Sequence, residues 1–247
     1  MDKSMNTYFV ETFRTKKRLS LAMLTTLATV ATQCLPMYAQ AQENTPAAPA
    51  TLTIERIHES PSLAGSAPKQ LKISPDGQRV TYIKGKEKDY DRYDLWEYHI
   101  PSKQTRLLFN ADDLHSGTET LSNEEKARRE RMREYGSGIM RYFWSEDAKA
   151  LLFPLAGDAY YYKIGDEKAV QLLNTPEFET DIQFSPKGKF ISYIREQNLY
   201  VMDIATGKET AITQQGGGNL KFGMAEFVAQ EEMDRMTGYW WSPDETK

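Results

Sequence analysis

The feature that most constrains this chain is a motif that it repeats. "ISPDGQRVTYIKG" begins at Ile73, "WSEDAKALLFPLAG" at Trp144, "FSPKGKFISYIRE" at Phe184 and "WSPDETK" at Trp241. Each copy opens with an apolar residue and a serine, then passes through a turn of Pro, Asp, Gly or Lys. A β-rich stretch follows, over 79–84, 150–155 and 189–195. Next comes an aromatic strand: "YDLWEYHI" (93–100), "DAYYYKIG" (158–165) and "QNLYVMDI" (197–204). A polar turn then leads to a last strand: "QTRLLFN", "KAVQLLN" and "KETAIT". Four strands per unit with turn chemistry between them predict antiparallel meanders. Ser145 and Ser185 stand 40 residues apart, the length of one propeller blade. The expected fold is all-β: a partial β-propeller over 69–247, with about three four-stranded blades and the start of a fourth at Trp241.

The other spacings are longer because two segments intervene. Ser74 and Ser145 are 71 residues apart, with "LSNEEKARRERMREYGSG" (121–138) between them. Ser122 and Asn123 suit a helix cap, Glu124 and Glu125 a helix N-terminus, and Gly136 a stop. Glu124–Arg128 and Glu125–Arg129 have the favourable i,i+4 order. Ser185 and Ser242 are 57 residues apart, and the extra chain is a second insertion over 214–238. Its stretch 224–233 is helix-forming, with Phe222, Phe227 and Val228 as expected anchors. Insertions on a rigid scaffold are where function is expected.

The N-terminus reads differently. Residues 1–18 carry Lys3, Arg14, Lys16, Lys17 and Arg18 against Asp2 and Glu11. An uncharged Leu/Ala/Thr-rich run follows, ending in Ala39-Gln40-Ala41. This order predicts a secretory signal peptide over 1–41, cleaved after Ala41, and a periplasmic or secreted product with no membrane attachment after cleavage. The rival is an uncleaved anchor, which Pro36 and the A-x-A site disfavour. Residues 42–68 are expected as a lead-in, Pro/Ala-rich at first. Cleavage removes the lone Cys34, so thiolate and disulfide chemistry are not expected. It also moves the formal charge from −4 to −7. Such a balance gives no reason to propose nucleic-acid binding.

The candidate site is the adjacent pair Glu231 and Glu232. Most neighbouring glutamates are solvated surface. Two acceptor-only carboxylates can nonetheless share the three N–H donors of one ammonium. Holding two anions together raises one of their pKa values unless a cation arrives. Adjacent side chains on a regular helix diverge by about 100°, so convergence needs an irregular helix end, which Gly238 is expected to allow.

The flanks of the pair, "EFVAQEEMDRMTGYWWSPD", closely resemble the paired-glutamate segment of the dipeptidyl peptidase IV family. The resemblance is strongest over 218–247 and looser over 71–217, through the Ser-Pro-Asp-Gly turns and "EEKARRERMRE". It implies that Glu231 and Glu232 bind the free N-terminal amine of a peptide substrate. It also implies an eight-bladed propeller, frequent homodimers and release of N-terminal dipeptides with Pro or Ala second. An arginine holds a substrate carbonyl in that family. Arg128, Arg129, Arg131, Arg133 and Arg141 are candidates by region, with a solvated charged helix as the plainer reading for each.

The family's Ser-Asp-His chemistry belongs to a C-terminal α/β-hydrolase domain with a G-x-S-x-G elbow. No G-x-S-x-G occurs here, so no catalytic residue is expected, and this domain is a missing partner. His58, His99 and His115 lie outside any triad context and are read as structural or exposed. There is no H-x-x-x-H or cysteine pair to hold a metal, and no cofactor is expected. The alternatives are a non-enzymatic TolB-like binding propeller and an acylaminoacyl peptidase relative, neither of which needs the glutamate pair.

Overall fold

The repeated serine is explained by a local hydrogen-bond circuit. In the computed structural model, which describes residues 52–59 and 62–247, Ser74 Oγ donates to Asp76 Oδ1 at 2.6 Å and accepts from the Arg79 N–H at 2.9 Å. Ser145 repeats this with Asp147 and Ala150, and Ser242 with Asp244 and Lys247. In the third unit Lys187 stands where the aspartate would be. Ser185 there keeps the bond from the Phe190 N–H at 2.9 Å. The serine therefore staples the turn between the first and second strands of each unit. The segment 1–41, its cleavage site and Cys34 lie outside the described residues.

The chain runs α1 (Ile54–His58), β1 (Lys69–Ile73), β2 (Arg79–Gly85), β3 (Arg92–His99), β4 (Gln104–Phe109), α2 (Ala111–Leu114), α3 (Asn123–Arg131) and β5 (Ser137–Gly138). It continues with β6 (Phe143–Trp144), β7 (Ala150–Leu155), β8 (Asp158–Lys163), β9 (Val170–Gln171), β10 (Thr180–Phe184), β11 (Phe190–Arg195), β12 (Asn198–Asp203), β13 (Glu209–Ala211) and α4 (Phe227–Glu232). Strands β1–β4, β6–β9 and β10–β13 form three antiparallel meanders, each ordered by sequence. These are three consecutive four-stranded blades, a partial propeller with few helices.

The second blade lies between the other two, which explains its unbroken apolar run. Along a strand, side chains alternate between faces. Leu151, Phe153 and Leu155 of β7 join Ile83, Leu95 and Tyr93 of the first blade in one buried cluster. Leu152 and Ala159 join Ile182, Ile191 and Tyr193 of the third blade in another. A sheet covered on both faces has no need for polar alternation.

Aromatic residues ahead of Ser145 and Ser242 link successive blades. Trp144 Nε1 donates to Thr81 Oγ1 of the first blade at 2.8 Å, and Tyr142 OH donates to Thr81 O at 2.7 Å. Trp241 Nε1 and Tyr239 OH make the corresponding contacts to Ser192 Oγ of the third blade, at 3.1 and 2.6 Å. Trp241 also stacks on Phe190, with centroids 5.9 Å apart.

The first insertion differs from expectation at its end. Ser122 caps α3, accepting from the Glu125 N–H at 3.1 Å. The helix stops at Met132, not at Gly136. Gly136 and Gly138 serve instead where the chain returns along β3, pairing in parallel at Arg92–Ser137 and Tyr93–Gly138. A Cβ on Gly138 would come within 2.5 Å of Tyr93 O. Close backbone approach therefore requires glycine there.

Candidate functional site

The Glu231–Glu232 pair ends a short helix on a loop hung from a narrow neck. The Gly238 N–H donates to Gly223 O at 2.8 Å, and the Ala225 N–H to Met236 O at 2.9 Å. A Cβ on Gly238 would meet Met224 O at 2.4 Å, and Gly223 sits at φ +72° against Ile194. Gly238 thus serves the neck. The irregular helix end arises earlier, where Met233 leaves helical geometry at φ −114° and Asp234 takes φ +49°. Left-handed backbone is tolerated best by Gly, Asn and Asp. The Arg235 N–H then closes back on Ala229 O at 3.0 Å.

The apolar anchors of α4 are not the expected ones. Phe227 and Val228 are 59% and 52% exposed, whereas Ala225, Ala229 and Gln230 are buried. Glu226 caps the helix, accepting from the Val228 and Ala229 N–H groups at 2.8 and 2.7 Å. Gln230 points inward: Nε2 donates to Ala225 O, and Oε1 accepts from Arg131 Nη1, both at 2.5 Å. Arg131 also lies over the Phe227 ring, 5.1 Å from its centroid. The two insertions therefore touch through Arg131.

Glu231 and Glu232 are both exposed. Among the described residues, neither carboxylate takes part in a hydrogen bond or ion pair. The negative end of the helix dipole adds to their field, and no basic residue occupies the last turn of α4. The arrangement is an anionic site open to a cation.

Beneath it, α3 is not the solvated charged helix of the plainer reading. Glu125 and Arg128 are 4% and 8% exposed. Their pair is bidentate, Nε to Oε2 at 2.6 Å and Nη2 to Oε1 at 2.5 Å. Glu125 also accepts from Arg129 Nε and Thr180 Oγ1, each at 2.7 Å. Burial alone would raise the Glu125 carboxyl, but the Arg128 guanidinium outweighs it and holds the group below its usual range. The expected Glu124–Arg128 pair is absent: Arg128 turns to Glu125 and Glu134, and Glu124 accepts from Gln197 Nε2. Arg141 pairs with Glu134 at 2.8 Å. Arg133 is exposed, with φ at +52°.

The three histidines lie away from the pair. His58 ends α1, His99 Nδ1 contacts Ser102 Oγ at 2.8 Å, and His115 caps α2. Among the described residues, no group of His, Cys, Asp and Glu is arranged to hold a metal ion, and no helix is long and apolar enough to cross a membrane.

Residues 142–247 match the family described as the dipeptidyl peptidase IV (DPP IV) N-terminal region. A probable dipeptidyl peptidase 4 of Aspergillus flavus is 28% identical over 183 residues, 70% of this chain and 22% of that protein. Dipeptidyl peptidase 8 of Homo sapiens is 31% identical over 139 residues, 49% of this chain and 16% of that protein. The chain thus matches less than a quarter of the length of either relative. A crystal structure of Porphyromonas gingivalis dipeptidyl peptidase 4 superposes with a TM-score of 0.47 at 18% identity, covering 71% of this chain and 24% of that one. Residues 142–247 are thus similar to the N-terminal region of the dipeptidyl peptidase IV family.

Proposed function

We propose that Glu231 and Glu232 bind the free N-terminal ammonium of a peptide, as the substrate-gating part of an exported dipeptidyl peptidase IV-like serine exopeptidase. The observation that carries this reading is the exposure of two adjacent carboxylates without cationic partners, on a helix whose neighbour Gln230 is tied down. An ammonium brings three donors and a charge to acceptors that otherwise repel each other. Fixing the amine defines how far the chain reaches beyond it, and so favours scission after the second residue. Pro or Ala there is the preference assigned to the whole enzyme. Nucleophile, base and oxyanion hole are assigned to an α/β-hydrolase domain of the full-length protein.

The basic segment before the uncharged run at the N-terminus supports export to the periplasm or medium. The test is calorimetric binding of Ala-Pro-Ala and its N-acetylated form to the full-length protein. The free amine is expected to bind and the blocked one not. The Glu231→Gln, Glu232→Gln double variant should weaken free-amine binding by about 100-fold, as loss of charged hydrogen bonds implies. Equal binding of both peptides would overturn the reading.

A further inference from the structure

The neck of the loop is held by a contact that lies outside the glutamate pair. Thr237 Oγ1 donates to Asp181 Oδ1 at 3.0 Å. Gln183 Nε2 donates to the same Asp181 oxygen at 2.7 Å and also to Thr237 Oγ1. Asp181 sits in a β-bulge, where the β10–β11 register slips between Thr180 and Gln183. Its φ is +53°, a left-handed conformation that disfavours most residues with a Cβ.

The first blade carries the same bulge at the corresponding place. Gln70, like Asp181, stands four residues before the blade serine, with φ at +51°. Its Nε2 donates to Met140 O at 2.8 Å. Met140 stands five residues before Ser145, just as Thr237 stands five before Ser242. The bulge residue of one blade thus reaches the same point on the segment leading into the next unit. After the third blade, that point is the base of the glutamate loop. The second oxygen of Asp181 is enclosed without a hydrogen-bond partner. Asp181 lines a cavity of about 30 Å³ together with Arg128 and Arg141.

We infer that Asp181 and Thr237 are positioning residues for Glu231 and Glu232, setting where the loop leaves the scaffold; the inference rests on the amine-binding reading above. Asp181 acts through the Thr237 hydroxyl, and Thr237 through the Met224–Thr237 bridge across the neck. With Thr237 untied, the loop keeps its contact at Arg131 but loses a tie at its base, and the carboxylates are no longer held in place for an ammonium.

The test compares Thr237→Val, Thr237→Ser and Asp181→Ala in the full-length protein, with Ala-Pro-Ala and its N-acetylated form as probes. Thr237→Val keeps the side-chain shape and loses the hydroxyl, and is expected to weaken free-amine binding about five- to tenfold. Thr237→Ser keeps the hydroxyl and should restore affinity to within about twofold of the parent. Asp181→Ala should resemble Thr237→Val. If it does not fold, the two Thr237 variants decide alone. Unchanged affinity in Thr237→Val, or a loss that Thr237→Ser does not restore, overturns the inference. The Glu231→Gln, Glu232→Gln variant separates the two ideas. If it binds the free amine normally, the amine-binding reading fails and this inference falls with it. If it loses binding while Thr237→Val does not, only the positioning role is wrong.

Discussion

Each insertion contains an adjacent glutamate pair, and the two pairs have opposite fates. Glu125 of the first has arginines three and four residues ahead, and both reach it. Arg235 stands at the same spacings from Glu232 and Glu231, yet pairs with neither. Helix length is the cause. α3 continues to Arg131, so Arg128 and Arg129 project beside Glu125. α4 ends at Glu232, and the left-handed turn at Asp234 carries Arg235 away to lie over Trp240, 5.4 Å from its centroid. One pair is thereby committed to holding the scaffold, and the other is left open to a ligand cation.

The largest expected effect comes from removing the buried partner. Glu125→Gln leaves Arg128 and Arg129 without their shared anion and should cost about 3–5 kcal/mol in chemical denaturation. Because the folded pKa of Glu125 lies below its usual 4.5, its stabilisation is present above that value and lost as pH falls through the lower folded one. The parent should therefore have a steeper acid limb than Glu125→Gln. Glu179 and Asp181 have the opposite sign. Burial raises both carboxyls, so their contribution is present at low pH and lost as pH rises through the raised values. A parent acid limb no steeper than the variant's would show that Glu125 does not govern it.

A smaller effect should follow from breaking the turn between the pair and its potential partner. Asp234→Ala disfavours left-handed backbone by about 1 kcal/mol and favours continuation of α4, bringing Arg235 beside Glu231. Free-amine peptide binding should weaken by about tenfold, since an internal cation now competes for the carboxylate. Asp234→Gly keeps the turn and should bind normally. Equal affinities in the two variants would refute the role of helix length. The smallest effect is on stability: Glu231→Gln with Glu232→Gln should shift the unfolding free energy by less than about 0.5 kcal/mol. A loss near that of Glu125→Gln would mean that the exposed pair is structural after all.

The strand framework was legible because its signals are local. The serine turn closes within five residues, and one aromatic strand marks each unit wherever the neighbours lie. Ser122 was readable as a cap for the same reason. The repeat marks an apolar residue before each serine, but the link from Trp144 and Trp241 to Thr81 and Ser192 of the preceding blade appears only in the folded chain. The anchors of α4 were misread because Phe227 and Val228 are apolar, and hydrophobicity alone does not say which face of a six-residue helix is covered. Packing covered Ala229 and Gln230 instead.

By itself, then, the sequence determined the blades, their order, the positions of the two insertions and the presence of a carboxylate pair. These depend on periodicity and turn chemistry, which act over a few residues. Only the tertiary structure decided which glutamates are buried and which are open. That outcome depends on where each helix ends and on residues more than fifty positions away, Thr180 against Glu125 and Thr237 against Asp181. Carboxylates of identical chemistry become a structural bond or a candidate binding site according to the cations and cover that the fold brings to them.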